Sequence, residues 1–189
     1  MAKRFKTLMV LIMLAFASIH AYGEEHLKFM GIPLTGTITQ FQAKLKAKGV
    51  TIDAALNKTV EAGARVLKGS FSGHKANIIV FYDTSSKIVY RNNAMYTAIE
   101  AQVLIDKYYY FADLFRQKYT QADINTEIND NGYEATLLFI PATEPNSEYK
   151  YVGKIEMYRD YGAYTGELHI DYTDTINSAA INSRNLDDL

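Results

Sequence analysis

The sequence has no cysteine, no tryptophan and only 3 prolines in 189 residues. Without thiols there are no disulfides, no thiol nucleophile, no Cys-ligated zinc or iron–sulfur cluster and no lipid anchor on an N-terminal cysteine. With 3 Pro and 11 Gly the chain is neither collagen-like nor Pro-rich. A surplus of one charge is missing too. The formal net charge of -1 leaves no basic excess to neutralise phosphates, so nucleic acid is not an expected partner. What is present is a globular composition, 48% hydrophobic and 22% charged, in a length that suits one domain or two small halves sharing a core. The aromatic content is lopsided: 15 Tyr and 9 Phe stand against the absent Trp.

The longest apolar run, Leu8 to Ile19, follows Lys3, Arg4 and Lys6 and precedes the small-x-small exit Ala21-Tyr22-Gly23. It is shorter than the about 20 residues that a membrane span requires. Residues 1–23 therefore read as a cleaved secretory signal peptide, and the expected product is exported, periplasmic or secreted, with no membrane span after cleavage.

Beyond residue 23 the expected class is α+β, an antiparallel sheet with two helices. Residues 24–173 form a single domain in this reading, with possible halves 24–96 and 97–173. Residues 174–189 form a flexible polar tail rich in Asn, Ser and Asp. His26 to Pro33 alternates as one short strand. Thr37 caps a helix whose stripe is Ile38, Phe41 and Leu45, and Gly49 closes it. Residues 50–62 carry no clear period. Ala64–Phe71, Ala76–Tyr82 and Lys87–Arg91 read as consecutive antiparallel strands.

Thr97-Ala98-Ile99-Glu100 has the spacing of a capping box opening a second helix that runs to about Tyr119. Its main stripe holds Leu104, Ile105, Tyr108, Phe111, Ala112 and Phe115. A second ridge, Ile99, Val103, Tyr110 and Leu114, is expected to be sandwiched by other parts of the chain, with an exposed partner surface as the alternative. Further strands follow: Ile124 to Ile128, a turn at Asp130-Asn131-Gly132, Tyr133 to Ile140, the alternating run from Tyr149, and Tyr164 to Thr173. Helix then strands, twice over, suggests tandem units sharing one sheet.

Chemistry-bearing motifs are scarce. No P-loop, dinucleotide fingerprint, H-E-x-x-H or EF-hand loop occurs, so no cofactor is expected and no residue is assigned as catalytic or as a metal ligand. Gly69-Ser70-Phe71-Ser72-Gly73 lacks the serine placement of a nucleophile elbow. The best constellation is Glu167-x-His169-x-Asp171 on one strand face, with Glu156 on the adjacent strand. Neighbours at i and i+2 are close enough for a hydrolytic or metal site, yet the same pattern is what the solvated face of an alternating strand requires. The tyrosines are the more specific lead. Tyr109 and Tyr110 lie on the second helix, and Tyr149, Tyr151, Tyr158, Tyr161 and Tyr164 cluster around one hairpin. Tyrosine gives large contact area at low entropic cost, so these residues are the candidate binding set for another envelope protein or a glycan.

Gly31, Ile32, Pro33, Leu34, Gly36, Thr37, Phe41, Leu45 and Gly49, together with the ending LHIDYTDTINS and the terminal LDDL, resemble the pattern of small exported proteins of unknown function from Gram-negative gut anaerobes. That resemblance implies an envelope location and carries over no site. The helix-plus-strands order is also similar to that of β-lactamase-inhibitor-like and outer-membrane assembly lipoprotein-like modules, which bind other proteins; the missing lipobox cysteine departs from the lipoprotein pattern. Three readings follow: a non-enzymatic binding module with a Tyr-rich surface, a hydrolase or metal-dependent enzyme built on His169, Glu167 and Asp171, and a glycan-binding module.

Overall fold

Period-two alternation in the strand-like runs builds an eight-stranded antiparallel sheet in the computed structural model, which describes residues 25–128, 134–143, 149–161 and 166–187. The segment read as a signal peptide, the expected turn at Asp130-Asn131-Gly132 and Tyr164 lie outside the described residues. The fold is α+β.

The elements run in order as β1 (Lys28–Phe29), β2 (Ile32–Pro33), α1 (Ile38–Ala47), β3 (Thr51–Ile52), a 3-10 turn (Leu56–Lys58), β4 (Ala64–Phe71), β5 (His74–Tyr82), β6 (Val89–Ala98), α2 (Ala101–Lys118), β7 (Asp123–Ile128), β8 (Glu134–Pro141), β9 (Tyr151–Tyr161), β10 (Gly166–Asp174) and α3 (Thr175–Asp187). The sheet order is β3-β4-β5-β6-β10-β9-β8-β7. Each of α1 and α2 is thus followed by a four-stranded meander, and the two meanders join through their last strands, paired from Arg91 opposite Thr173 to Ala98 opposite Gly166.

Local chemistry explains most boundaries. The Thr37 hydroxyl accepts the Gln40 N–H while the Gln40 side chain accepts the Thr37 N–H, a reciprocal cap on α1. Gly49 follows the helix at φ 83°, the left-handed conformation that glycine adopts without a Cβ penalty. His26 to Pro33, expected as one strand, is instead a tight hairpin. Positive φ at both Met30 and Gly31 turns β1 back onto β2.

The start of α2 also differs from expectation. Thr97 stays in β6 opposite Glu167, because pairing with β10 carries the strand through Ala98, and Glu100 occupies the N-cap with no side-chain bond. The inter-strand ladder displaces the capping box. Four strands follow α2, within the expected range.

One face of the sheet carries the core. Leu67, Ile78, Val80, Ala94, Tyr96, Leu168, Ile170, Tyr172, Ile155, Met157 and Leu138 recur there at alternate positions and are buried. α1 contributes Ile38, Phe41 and Leu45, and α2 contributes Leu104, Tyr108, Phe111, Ala112 and Phe115. Phe111 lies 5.3 Å from Tyr96 and 5.8 Å from Phe71 between ring centroids, and Phe115 lies 6.2 Å from Tyr172. Tyr108 reaches the Thr136 hydroxyl at 2.6 Å, which satisfies both buried groups. Each such large side chain contributes about 1.5–3 kcal/mol relative to leaving it in water.

The second ridge is covered only in part. Ile99 is 83% exposed and Val103 45%, because the helix turns its main stripe to the sheet, whereas Leu114 packs against the core and Tyr110 against His74.

The segment from Asp174, expected as a frayed tail, forms α3. Asp174 is fully buried at its N-cap, and its carboxylate accepts the N–H groups of Asn177 and Leu27, each at 2.9 Å, with the His26 ring 3.1 Å away. The Asn177 amide donates to the carbonyls of Leu34 and Val89, and Arg184 pairs with Asp83 at 3.1 Å. These partners lie up to 148 residues away in sequence, so the tail's polarity reflects hydrogen bonding to distant backbone. A Cβ at Gly153 would meet the Thr173 carbonyl at 2.6 Å and Leu27 at 2.8 Å, so the N-terminal segment also packs directly on β9. Among the described residues no helix is long and apolar enough to cross a membrane.

Candidate binding face

The residues alternate with the core positions along every strand, so those pointing away from α1 and α2 form an outer face whose layout follows from the register. One row across the strands reads Lys68, Asn77, Met95, His169, Tyr158, Ala135, Glu127. The next reads Val66, Ile79, Asn93, Asp171, Glu156, Leu137, Asn125. A third reads Ala64, Phe81, Arg91, Thr173, Lys154, Phe139, Asp123. Near the far end, Thr97, Glu167 and Asp160 stand side by side.

His169 sits at the join between the two meanders. Its ring stacks on Tyr158 with centroids 4.7 Å apart and planes 9° off parallel. Nε2 lies 3.0 Å from the Glu167 carboxylate and Nδ1 3.3 Å from the Asn93 amide, so both ring nitrogens are engaged. Asp171 was expected to be solvated and is instead 6% exposed, between Asn93 and Glu156 with Arg91 at 3.3 Å. Burial pushes its carboxyl above the ordinary carboxylate value, against the pull of Arg91. The Arg91 guanidinium lies over Phe81, 3.9 Å from the ring centroid.

Glu156 turns to Lys154 at 2.8 Å rather than joining His169. Among the described residues no three His, Asp or Glu side chains are grouped as ligands of one ion. The carboxylates flanking His169 therefore sit in separate pairs: Glu167 with His169, Asp171 with Arg91, Glu156 with Lys154.

The candidate tyrosines divide between the two sides of the sheet. Tyr158 and Tyr151 are on the outer face. Tyr151 packs on Phe139 with centroids 5.5 Å apart and donates its hydroxyl to Asp123. Tyr149 is half-buried just before β9. Tyr161 ends β9, its side chain outside the described residues. Tyr109 and Tyr110 belong to the helical side, about half exposed; Tyr109 reaches Glu134 at 3.5 Å, and Tyr110 packs edge-on against His74 at 5.4 Å. The sheet separates these two from Tyr151 and Tyr158.

Sequence reasoning missed three residues. Arg91 and Asn93 sit in a strand that was expected to stop near Arg91, and only the pairing with β10 places them beside Asp171 and His169. Arg159 is 9% exposed on the helical side, paired with Glu134 at 2.8 Å and with its guanidinium 5.1 Å from the Tyr108 centroid. Its position among alternating apolar residues was the available signal.

Charge is unevenly spread over the outer face. In β4–β6 it carries Lys68, Lys75 and Arg91 and no acid. In β7–β10 it carries Asp123, Glu127, Glu156, Asp160, Glu167 and Asp171, with Lys154 as the cation. Compared with known proteins, the chain is matched by no family model and is significantly similar to no curated protein and no solved structure.

Proposed function

We propose that this chain is an exported, non-enzymatic binding protein that holds another envelope protein on the outer face of its sheet, with Tyr158 and Tyr151 as the aromatic contacts. The observation that carries this reading is the contrast across the sheet. The face opposite α1 and α2 presents Phe81, Phe139, Tyr151 and Tyr158 together with charged side chains, the mixture of aromatic anchors and polar surround found at protein interfaces. His169 supports binding rather than catalysis: both of its nitrogens are occupied and its ring is stacked, which holds the Tyr158 face in a fixed orientation. Rigid, pre-set aromatic side chains lose little entropy on association.

The test is affinity capture from an envelope extract with the purified protein and three variants whose folding is checked by circular dichroism. Tyr158→Ala and Tyr151→Ala are expected to lose the captured protein at least tenfold, while Tyr109→Ala on the helical side retains it. Equal capture by all three, or loss confined to Tyr109→Ala, would overturn the assignment of this face.

A further inference from the structure

Strands β3–β6 line an open groove of about 730 Å³ on the outer face, on the side of the join away from the tyrosines. Its polar lining consists of Thr51, Lys68, Ser70, Lys75, Asn77 and Thr97, with Met95 among the apolar contributions. Every lining side chain with hydrogen-bonding capacity is a hydroxyl, an amide or an ammonium, and no carboxylate is among them. Lys68 is paired with Asp53 at 3.5 Å but remains 61% exposed, and Lys75 has no ion-pair partner among the described residues. Two cations and four neutral hydrogen-bonding groups thus converge on one concavity in a chain whose net charge is -1.

We propose that this groove binds an anionic glycan, an oligosaccharide whose rings carry carboxylate or sulfate groups. Three features select that class. The volume lies in the range of ordinary ligand sites, about 300–1,000 Å³, but the lining is unlike the apolar walls of sites for hydrophobic ligands. The β4–β6 floor is paired within the sheet and the edge strand beside it, β3, is only two residues long, so the groove offers an array of side-chain donors and little backbone edge to which an extended peptide could add. Finally, the donors recur along and across the strands at spacings of about 5–7 Å, a repeating array suited to a ligand whose hydroxyl and acid groups also repeat. The lining has no aromatic ring on which a neutral sugar would stack, so the ammonium groups carry the attraction and the hydroxyls the orientation. Across the join, Glu167 and Asp160 mark where a polyanion must stop.

The site is separate from the protein-binding residues proposed above, and the two can fail independently. Isothermal titration of the purified protein with oligogalacturonate and with a sulfated disaccharide distinguishes the two sources of negative charge. Saturable binding is expected for at least one, with Lys68→Gln and Lys75→Gln each weakening it about fivefold or more and Lys75→Arg retaining it. Lys154→Gln, on the other half of the face, should bind as the parent does. Raising ionic strength to ~0.5 M should weaken binding at least tenfold. The proposal is overturned if neither anionic sugar saturates, if a neutral glucose oligomer binds equally well, if the lysine variants bind unchanged, or if oligoglutamate binds the same lysines as tightly as the sugars do.

Discussion

The two faces of the sheet are built from the same strands, one residue out of step, and they are organised by different forces. On the helical face, rings meet rings: Phe29, Phe71, Phe111, Phe115, Tyr96 and Tyr172 form a connected aromatic cluster. On the outer face, rings meet charges and amides: Arg91 over Phe81, His169 on Tyr158, Tyr151 against Asp123. Buried apolar area is non-directional and accumulates, so the helical face is where stability resides. Exposed ion pairs contribute about 1 kcal/mol or less each, so the outer face, apart from the buried Asp171 and its Arg91 partner, can vary its chemistry at little cost to the fold.

The sharpest test of that division is Phe111→Ala. The residue is 1% exposed and touches Phe71, Tyr96 and Phe115, so its truncation should destabilise the protein by about 3–5 kcal/mol in denaturant unfolding. A loss below about 1 kcal/mol would mean that the aromatic cluster is not the principal core.

A smaller effect is expected where polar chemistry stabilises rather than binds. Asp174→Ala removes the α3 cap and leaves the Leu27 N–H without its partner, for an expected cost of about 2 kcal/mol and loss of helical ellipticity. An unchanged far-ultraviolet spectrum would show that α3 holds without its cap.

Asp171→Asn tests the outer face itself. Because burial raises the Asp171 carboxyl above 3.8, the stability it contributes is fully present below pH about 3.8 and is lost as pH rises through its folded-state value. The variant, which cannot ionise there, should match or slightly exceed the parent in urea midpoint at neutral pH, and the parent's relative stability should recover as the pH is lowered below that range. A variant clearly weaker at neutral pH would show instead that the Arg91 pair outweighs the cost of burial.

Much of the scaffold was legible in the chain. The placing of Glu167, His169 and Asp171 on one face of the last strand leaves Leu168, Ile170 and Tyr172 to the core, the helical spacing of Leu104, Tyr108, Phe111 and Phe115 marks the docking stripe of α2, and Thr37 marks the start of α1. These signals are local, since a strand or helix declares its buried side by its own period. The misreadings share a cause. The Thr97 box yields to the β6–β10 ladder, Asp171 is shielded by residues from neighbouring strands, and α3 is held by Leu27, Leu34 and Val89. Each depends on a partner far away in sequence, and no local pattern encodes which one.

The candidate face shows the same limit. Tyr109 falls on the polar side of its helix and Tyr151 and Tyr158 cluster in a hairpin, and the sequence alone offers all three as one candidate binding set. Only the helix packing on one side of the sheet separates them.

By itself, then, the sequence determined the α+β class, the strand and helix periods and the exclusion of cysteine chemistry, because these follow from residue type and spacing. The tertiary structure decided that two meanders join through β6 and β10, that the tail becomes a capped helix, and that cations and acids divide the outer face between its halves. Those features arise from strand order and register, which bring residues together across the sheet regardless of their distance along the chain.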